Sequence, residues 1–161
     1  MLIPVYDTID QTGRDVQATL GDWLWKFEAI SRSGQGKRYA AAVAGFEYTL
    51  YGILDSSADL GLLTEYLYDE RGSRATTPFE DDLFVGARLA MNDVASSELL
   101  AGVITDLSNG SRVFSVVASR RFGQHWKLNL EARLFSDISA EDLLAPQRDD
   151  DYAQLELVYY F

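Results

Sequence analysis

The stretch Tyr152-Ala153-Gln154-Leu155-Glu156-Leu157-Val158-Tyr159-Tyr160-Phe161 decides the fold. Ala153, Leu155, Leu157, Tyr159 and Phe161 share one side, and Tyr152, Gln154, Glu156, Val158 and Tyr160 share the other. A strict period of two is the pattern of a β-strand with one oily and one wet face. The question is whether the oily face meets a protein core, as in a soluble antiparallel sheet, or lipid.

Working back toward the amino terminus, the same alternation recurs. Trp126, Leu128, Leu130, Ala132 and Leu134 oppose Lys127, Asn129, Glu131 and Arg133; Phe114, Val116 and Ala118 oppose Ser115, Val117, Ser119 and Arg121. Further strands are expected over 97–107, 81–91, 58–69 and 38–52, each with Leu, Val or Ala on one side and charge or Gly on the other. Trp23, Trp25, Phe27 and Ala29 alternate with Lys26 and Glu28, and a weaker alternation covers 10–20. The phase slips at Gly21-Asp22, which marks a tight hairpin and separates these two strands. Eight strands fill 22–161, and 10–20 makes a ninth. A helical reading scatters charge around every segment; only 139–144 suits a helical turn. No internal boundary divides residues 1–161, which form a single domain.

Composition narrows the function. Net charge is −11, which argues against nucleic acid, because phosphate binding needs a basic patch. There is no Cys, hence no thiolate chemistry. No apolar run reaches the length of a transmembrane helix, but a spanning strand needs only about 9–11 residues, half of which face a lumen. Met1-Leu2-Ile3-Pro4 lacks the basic start and apolar stretch of a signal peptide. A secreted barrel needs one, so a membrane reading implies a removed signal or the carboxy-terminal part of a longer protein.

Three features point to a membrane. First, the expected connections alternate: Gly21-Asp22, 54–57, 92–96 and Gly123-Gln124 are short, whereas 31–36, 70–80, 108–111 and 137–151 are intermediate or long. Transmembrane barrels have short turns at one end and longer loops at the other. Second, Trp23, Tyr48, Trp126, Tyr159 and Phe161 fall on the apolar side near the short-turn end, where a headgroup girdle belongs. Third, the other side carries Lys26, Glu28, Glu47, Asp59, Glu65, Asp82, Arg88, Glu98, Asp106, Arg121, Lys127, Glu131, Arg133 and Glu156, too many charges for a dry core. All of these except Asp82 are assigned as candidate lumen-lining residues. The expected fold is all-β: an antiparallel up-and-down transmembrane β-barrel of eight to nine strands in this chain, part of a larger barrel.

Phe27-Glu28-Ala29, Ala58-Asp59-Leu60-Gly61-Leu62-Leu63, Leu83-Phe84-Val85-Gly86-Ala87-Arg88-Leu89-Ala90 and the ending Leu155 to Phe161 resemble strands of Gram-negative outer-membrane β-barrels of the porin-like type. The resemblance is one of pattern along nearly the whole chain. It implies the bacterial outer membrane, a lipid bilayer as partner, and an assembly machinery that reads the last strand through Tyr159 and Phe161. The function it implies is a passive channel, not an enzyme. A closed structural or adhesive barrel with a salt-bridged interior is the alternative, and a soluble lipocalin-like ligand-binding barrel a weaker one.

Catalysis and metal binding find little support. The one His, His125, sits beside a tight turn with no Ser placed to pair with it. Asp149, Asp150 and Asp151 with Glu141 and Asp142 are read as a solvated acidic loop rather than a Ca²⁺ site. No catalytic residue, metal or cofactor is expected.

Overall fold

In the computed structural model, which describes residues 6–34 and 36–161, every alternating segment becomes a strand. The strands are β1 (Asp10–Leu20), β2 (Trp23–Ser33), β3 (Tyr39–Leu50), β4 (Asp59–Asp69), β5 (Asp81–Ala90), β6 (Glu98–Asp106), β7 (Arg112–Phe122), β8 (Trp126–Ser136) and β9 (Tyr152–Tyr159). Each pairs antiparallel with its chain neighbours alone, giving one up-and-down sheet in sequence order. Residues 1–5, whose sequence lacks a signal-peptide pattern, lie outside the described residues.

The phase slip at Gly21-Asp22 is a two-residue hairpin, with Gly21 at φ 62°. Trp23 therefore pairs with Leu20 on one side and Tyr48 on the other, not with the closing strand. Nine strands form, and the eight-stranded closed ring does not. The sheet is open among the described residues: β1 and β9 are its edges, and both run in the same direction because seven strands alternate between them.

The expected contrast in loop length is weaker than the sequence suggests. At the end holding the β1–β2 turn, the connections are Gly21-Asp22, 51–58, 91–97 and 123–125; at the other they are 34–38, 70–80, 107–111 and 137–151. The two longest lie at the second end, but 51–58 and 91–97 outrun the expected 54–57 and 92–96. The cause is compact turn structure that shortens the flanking strands. Ile53–Asp55 is a 3₁₀ turn with Leu54 and Asp55 at positive φ, closed by Ile53 N–H to the Ala58 carbonyl at 2.8 Å. Asn92 and Ser96 take positive φ in the other turn. No helix forms over 139–144, where a helical turn is expected; a 3₁₀ turn follows it at Ala145–Gln147.

The register sorts the side chains into two faces. Leu20, Trp23, Tyr48, Leu62, Ala87, Ala101, Val116, Ala132 and Ala153 lie on one with the rest of their alternating sets. This apolar face is the open one: Trp25 is 45 % exposed and Leu155 67 %. Among the described residues the buried apolar side chains are Tyr39, Ala58 and Ala75, none of them large and aliphatic. The surface, 11314 Å², compares with about 8,000 Å² for a compact protein of 18.0 kDa. The sheet thus has no hydrophobic core of its own.

Glycines shape the opposite face. The Phe84 ring lies flat over Gly86 and Gly102, where an added Cβ would come within 2.7 Å and 2.5 Å of it. In the same way Glu47 lies across Gly61, whose Cβ would fall 2.7 Å from Glu47 Oε1.

Candidate functional site

The charged face is the natural candidate. All thirteen residues assigned to a lumen from the sequence lie on it: Lys26, Glu28, Glu47, Asp59, Glu65, Arg88, Glu98, Asp106, Arg121, Lys127, Glu131, Arg133 and Glu156. The register adds Asp15, Arg32, Asp69 and Asp82. Four acids of this face are buried: Glu47 is 6 % exposed, and Asp69, Asp82 and Asp106 are more covered still, whereas Glu28, Arg88, Glu98, Arg121, Arg133 and Glu156 are exposed.

Opposite charges meet along this face, two pairs reaching across an intervening strand and one lying within β8. Glu47 is bonded to the Arg88 guanidinium across β4, Lys26 Nζ stands 3.6 Å from Glu65, and Arg133 stands 3.4 Å from Glu131. Glu131 also accepts from the Tyr152 hydroxyl, and Glu156 accepts from Asn129 Nδ2 at 2.7 Å. These pairings order the face, and each exposed pair contributes little on its own. Glu47 and Glu65 are therefore neutralised in place. Arg121 instead stands directly across from Lys127, with its guanidinium 5.8 Å from the Tyr160 ring.

Two of the thirteen build turns. Asp59 accepts from the Gly52 amide at 3.0 Å and from Asn92 Nδ2 at 2.7 Å, tying together the connections 51–58 and 91–97. Asp106 receives four hydrogen bonds from the amides and side chains of Ser108 and Asn109, which fixes the Asn-Gly turn.

The aromatic residues read from sequence as a girdle form two clusters at the end holding the β1–β2 turn. Trp23 packs on Tyr48 at 4.7 Å between ring centroids, and Trp25 and Phe46 complete that cluster. Trp126 packs on Tyr159 at 4.8 Å, and Phe161 stands 6.2 Å from Tyr159. His125 belongs to this end: its Nδ1 lies 2.8 Å from the Tyr160 carbonyl, whose residue returns an amide bond to the His125 carbonyl at 2.7 Å. It joins the β7–β8 turn to the closing strand.

The acids of the longest loop are occupied locally. Asp142 accepts from the Leu144 amide, Asp151 from the Phe135 amide and Asp149 from Arg148. Among the described residues, three carboxylates that come within 4.8 Å of one another are Glu80, Asp82 and Asp106, a group the sequence gives no spacing signal for. Burial, with Asp106, Asp142 and Asp69 nearby, holds the Glu80 carboxyl above the usual carboxylate range despite an opposing backbone hydrogen bond. The folded chain therefore binds this proton more tightly than the unfolded chain. Stability falls as pH rises through the window between the ordinary and the raised value, and the loss persists above it. Glu80→Gln is expected to remove that loss. Hydrogen exchange in loop 70–80 should then be slower in the variant at about pH 8 and alike in both proteins at about pH 3. Equal exchange at both pH values would contradict the assignment.

Among the described residues no helix is long and apolar enough to cross a membrane, which says nothing of strands. The chain matches no protein-family model, no curated protein and no solved structure.

Proposed function

We propose that this sheet is the wall of an outer-membrane β-barrel, a passive porin-like channel of which the nine strands are a part. The observation that carries the reading is the inversion of the two faces. Large apolar side chains, the aromatic clusters among them, stand exposed on the apolar face, while the acids buried among the described residues, Glu47, Asp69, Asp82 and Asp106, lie on the charged face. In water, so much exposed apolar surface on a sheet with no core is unfavourable at roughly 25 cal/mol per Å². Against lipid the same face is at home, and the charges line a wet interior. Strands of 8 to 12 residues match what a tilted strand needs to cross a bilayer.

Closure follows from direction. β1 and β9 run the same way, so an all-antiparallel ring needs an odd number of further strands between them. About a dozen strands or more in total leave room for water, while a smaller ring fills with its own side chains.

On the charged face nine acids (Glu28, Glu47, Asp59, Glu65, Asp82, Glu98, Asp106, Glu131, Glu156) face five bases (Lys26, Arg88, Arg121, Lys127, Arg133) among the residues read from sequence. A lumen of this sign concentrates cations. Reversal potentials across a planar bilayer in a salt gradient test this, and weak cation preference is the expected result. An open channel with clear anion preference would overturn the lumenal assignment of these carboxylates. The closed, salt-bridged barrel has its own support in the Glu47–Arg88 and Lys26–Glu65 pairs. It predicts insertion without conductance.

A further inference from the structure

The bases of this acidic chain are not evenly spread. At the end of the sheet holding 34–38 and 70–80, those two loops meet around a cleft of about 620 Å³, and four of the chain's 14 bases line it: Lys37, Arg38, Arg71 and Arg74. They are brought together because β3 pairs with β4, which sets the two loops side by side.

Two of the four are held in place. Arg71 donates from Nε and Nη2 to the nearly buried Asp69 carboxylate at 2.9 Å and 2.7 Å, and its guanidinium lies 3.8 Å above the Tyr39 ring. This side-on fork leaves Nη1 with both its protons. Arg38 is tied to Asp10, Ser31 and Ser33. The other two, Lys37 and Arg74, have no acidic partner within ion-pair distance among the described residues. Of the acids lining the cleft, Glu70 already accepts from the Ala40 amide at 2.8 Å, and Asp7 stands at the cleft as well. The lining thus holds four cations and two carboxylates, with Asp69 and Asp10 behind it paired to Arg71 and Arg38, and it gathers bases within a chain of net charge −11.

We propose that this cleft binds a phosphorylated anion carrying two or more negative charges. A guanidinium fixed through Nε and Nη2, and a second guanidinium and an ammonium that have no acid within ion-pair distance among the described residues, are the groups that recognise phosphate oxygens. Thr76 at the rim supplies a hydroxyl donor. The cleft is built by loops and stands apart from the channel reading. Its ligand is either a free phosphate compound or the headgroup of a phospholipid, and the chemistry is shared.

The test uses the full chain in zwitterionic detergent, titrated with inorganic pyrophosphate by calorimetry. In parallel, the chain is mixed with phosphatidylcholine vesicles with and without phosphatidic acid. The double variant Lys37→Gln/Arg74→Gln is expected to weaken binding about 100-fold, about tenfold for each charge-assisted hydrogen bond removed. Arg121→Gln, on the charged face at the opposite end of the sheet, should leave it unchanged. Pyrophosphate binding abolished by the double substitution assigns a free anion. Preference for phosphatidic acid without pyrophosphate binding, again abolished by the double substitution, assigns a headgroup. Binding of neither probe, or binding that survives the double substitution, overturns the proposal. Thermal unfolding of each variant confirms that the sheet persists, since neither replaced side chain makes a structural bond.

Discussion

Leu130→Arg is expected to destabilise the protein in a bilayer by about 2–4 kcal/mol, and Asn129→Arg by far less. The two residues are neighbours on β8 and point to opposite faces. Leu130 stands between Ala118 and Leu155 on the apolar face. Asn129 stands between Ser119 and Glu156, and its side chain already bonds Glu156, so an arginine there gains a carboxylate partner. On a sheet bathed in water the order changes. Leu130→Arg would then sit on an open surface and fall within about 0.5 kcal/mol of the parent. Denaturant unfolding of both variants in phosphatidylcholine vesicles reads the difference. Equal stability of the two variants would remove the assignment of the apolar face to lipid.

The second large effect is expected at Gly45. A Cβ there would meet the Thr64 carbonyl oxygen at 2.4 Å and the Glu65 Cα at 3.0 Å, both backbone atoms of the paired strand. Nothing can rotate away, so β3 and β4 must separate. Gly45→Ala should cost about 1–3 kcal/mol or more. Two other strand glycines calibrate it. At Gly13 the nearest atom to an added Cβ is Ile30 Cγ2 at 3.6 Å, an ordinary van der Waals distance, and Gly13→Ala should be neutral or stabilising by up to about 1 kcal/mol. At Gly61 the obstacle is the Glu47 carboxylate, a side chain that can swing aside at the expense of its bond to Arg88. The expected order of stability is Gly13→Ala, then Gly61→Ala, then Gly45→Ala, measured by the same unfolding assay. A Gly45→Ala protein as stable as the parent would show that the close approach of β3 and β4 is not maintained in solution.

Period two carries the strand content because a pleated strand must turn alternate side chains to opposite sides, whatever lies beyond. That is why Arg112–Phe122 and Asp10–Leu20 are legible to the residue, and why the slip at Gly21-Asp22 distinguishes nine strands from eight. Strand ends are less legible. Leu54, Asp55, Asn92 and Ser96 take left-handed backbone without being glycine; Asp and Asn tolerate it, but Leu54 and Ser96 give no notice of it. The charged face is legible as a set of residues, but not its pairings. That Glu47 meets Arg88 rather than joining an acidic row depends on stagger between β3 and β5, with Gly61 between them. Glu80, Asp82 and Asp106 meet through the register of one hairpin, in which Asp82 stands opposite Asp106. The cleft of Lys37, Arg38, Arg71 and Arg74 unites residues of two separate hairpins, and local pattern does not contain that meeting.

Because each strand touches only the strands before and after it in the chain, the sheet is built from interchangeable units. Removing or duplicating one hairpin leaves every other ladder intact and preserves the end at which each terminus emerges. Sequence change by whole hairpins is therefore an easy evolutionary step for this architecture: the sheet can widen or narrow by two strands at a time while its two faces keep their characters. Folding inherits the same simplicity, since neighbouring strands can zip in order with short loops to close.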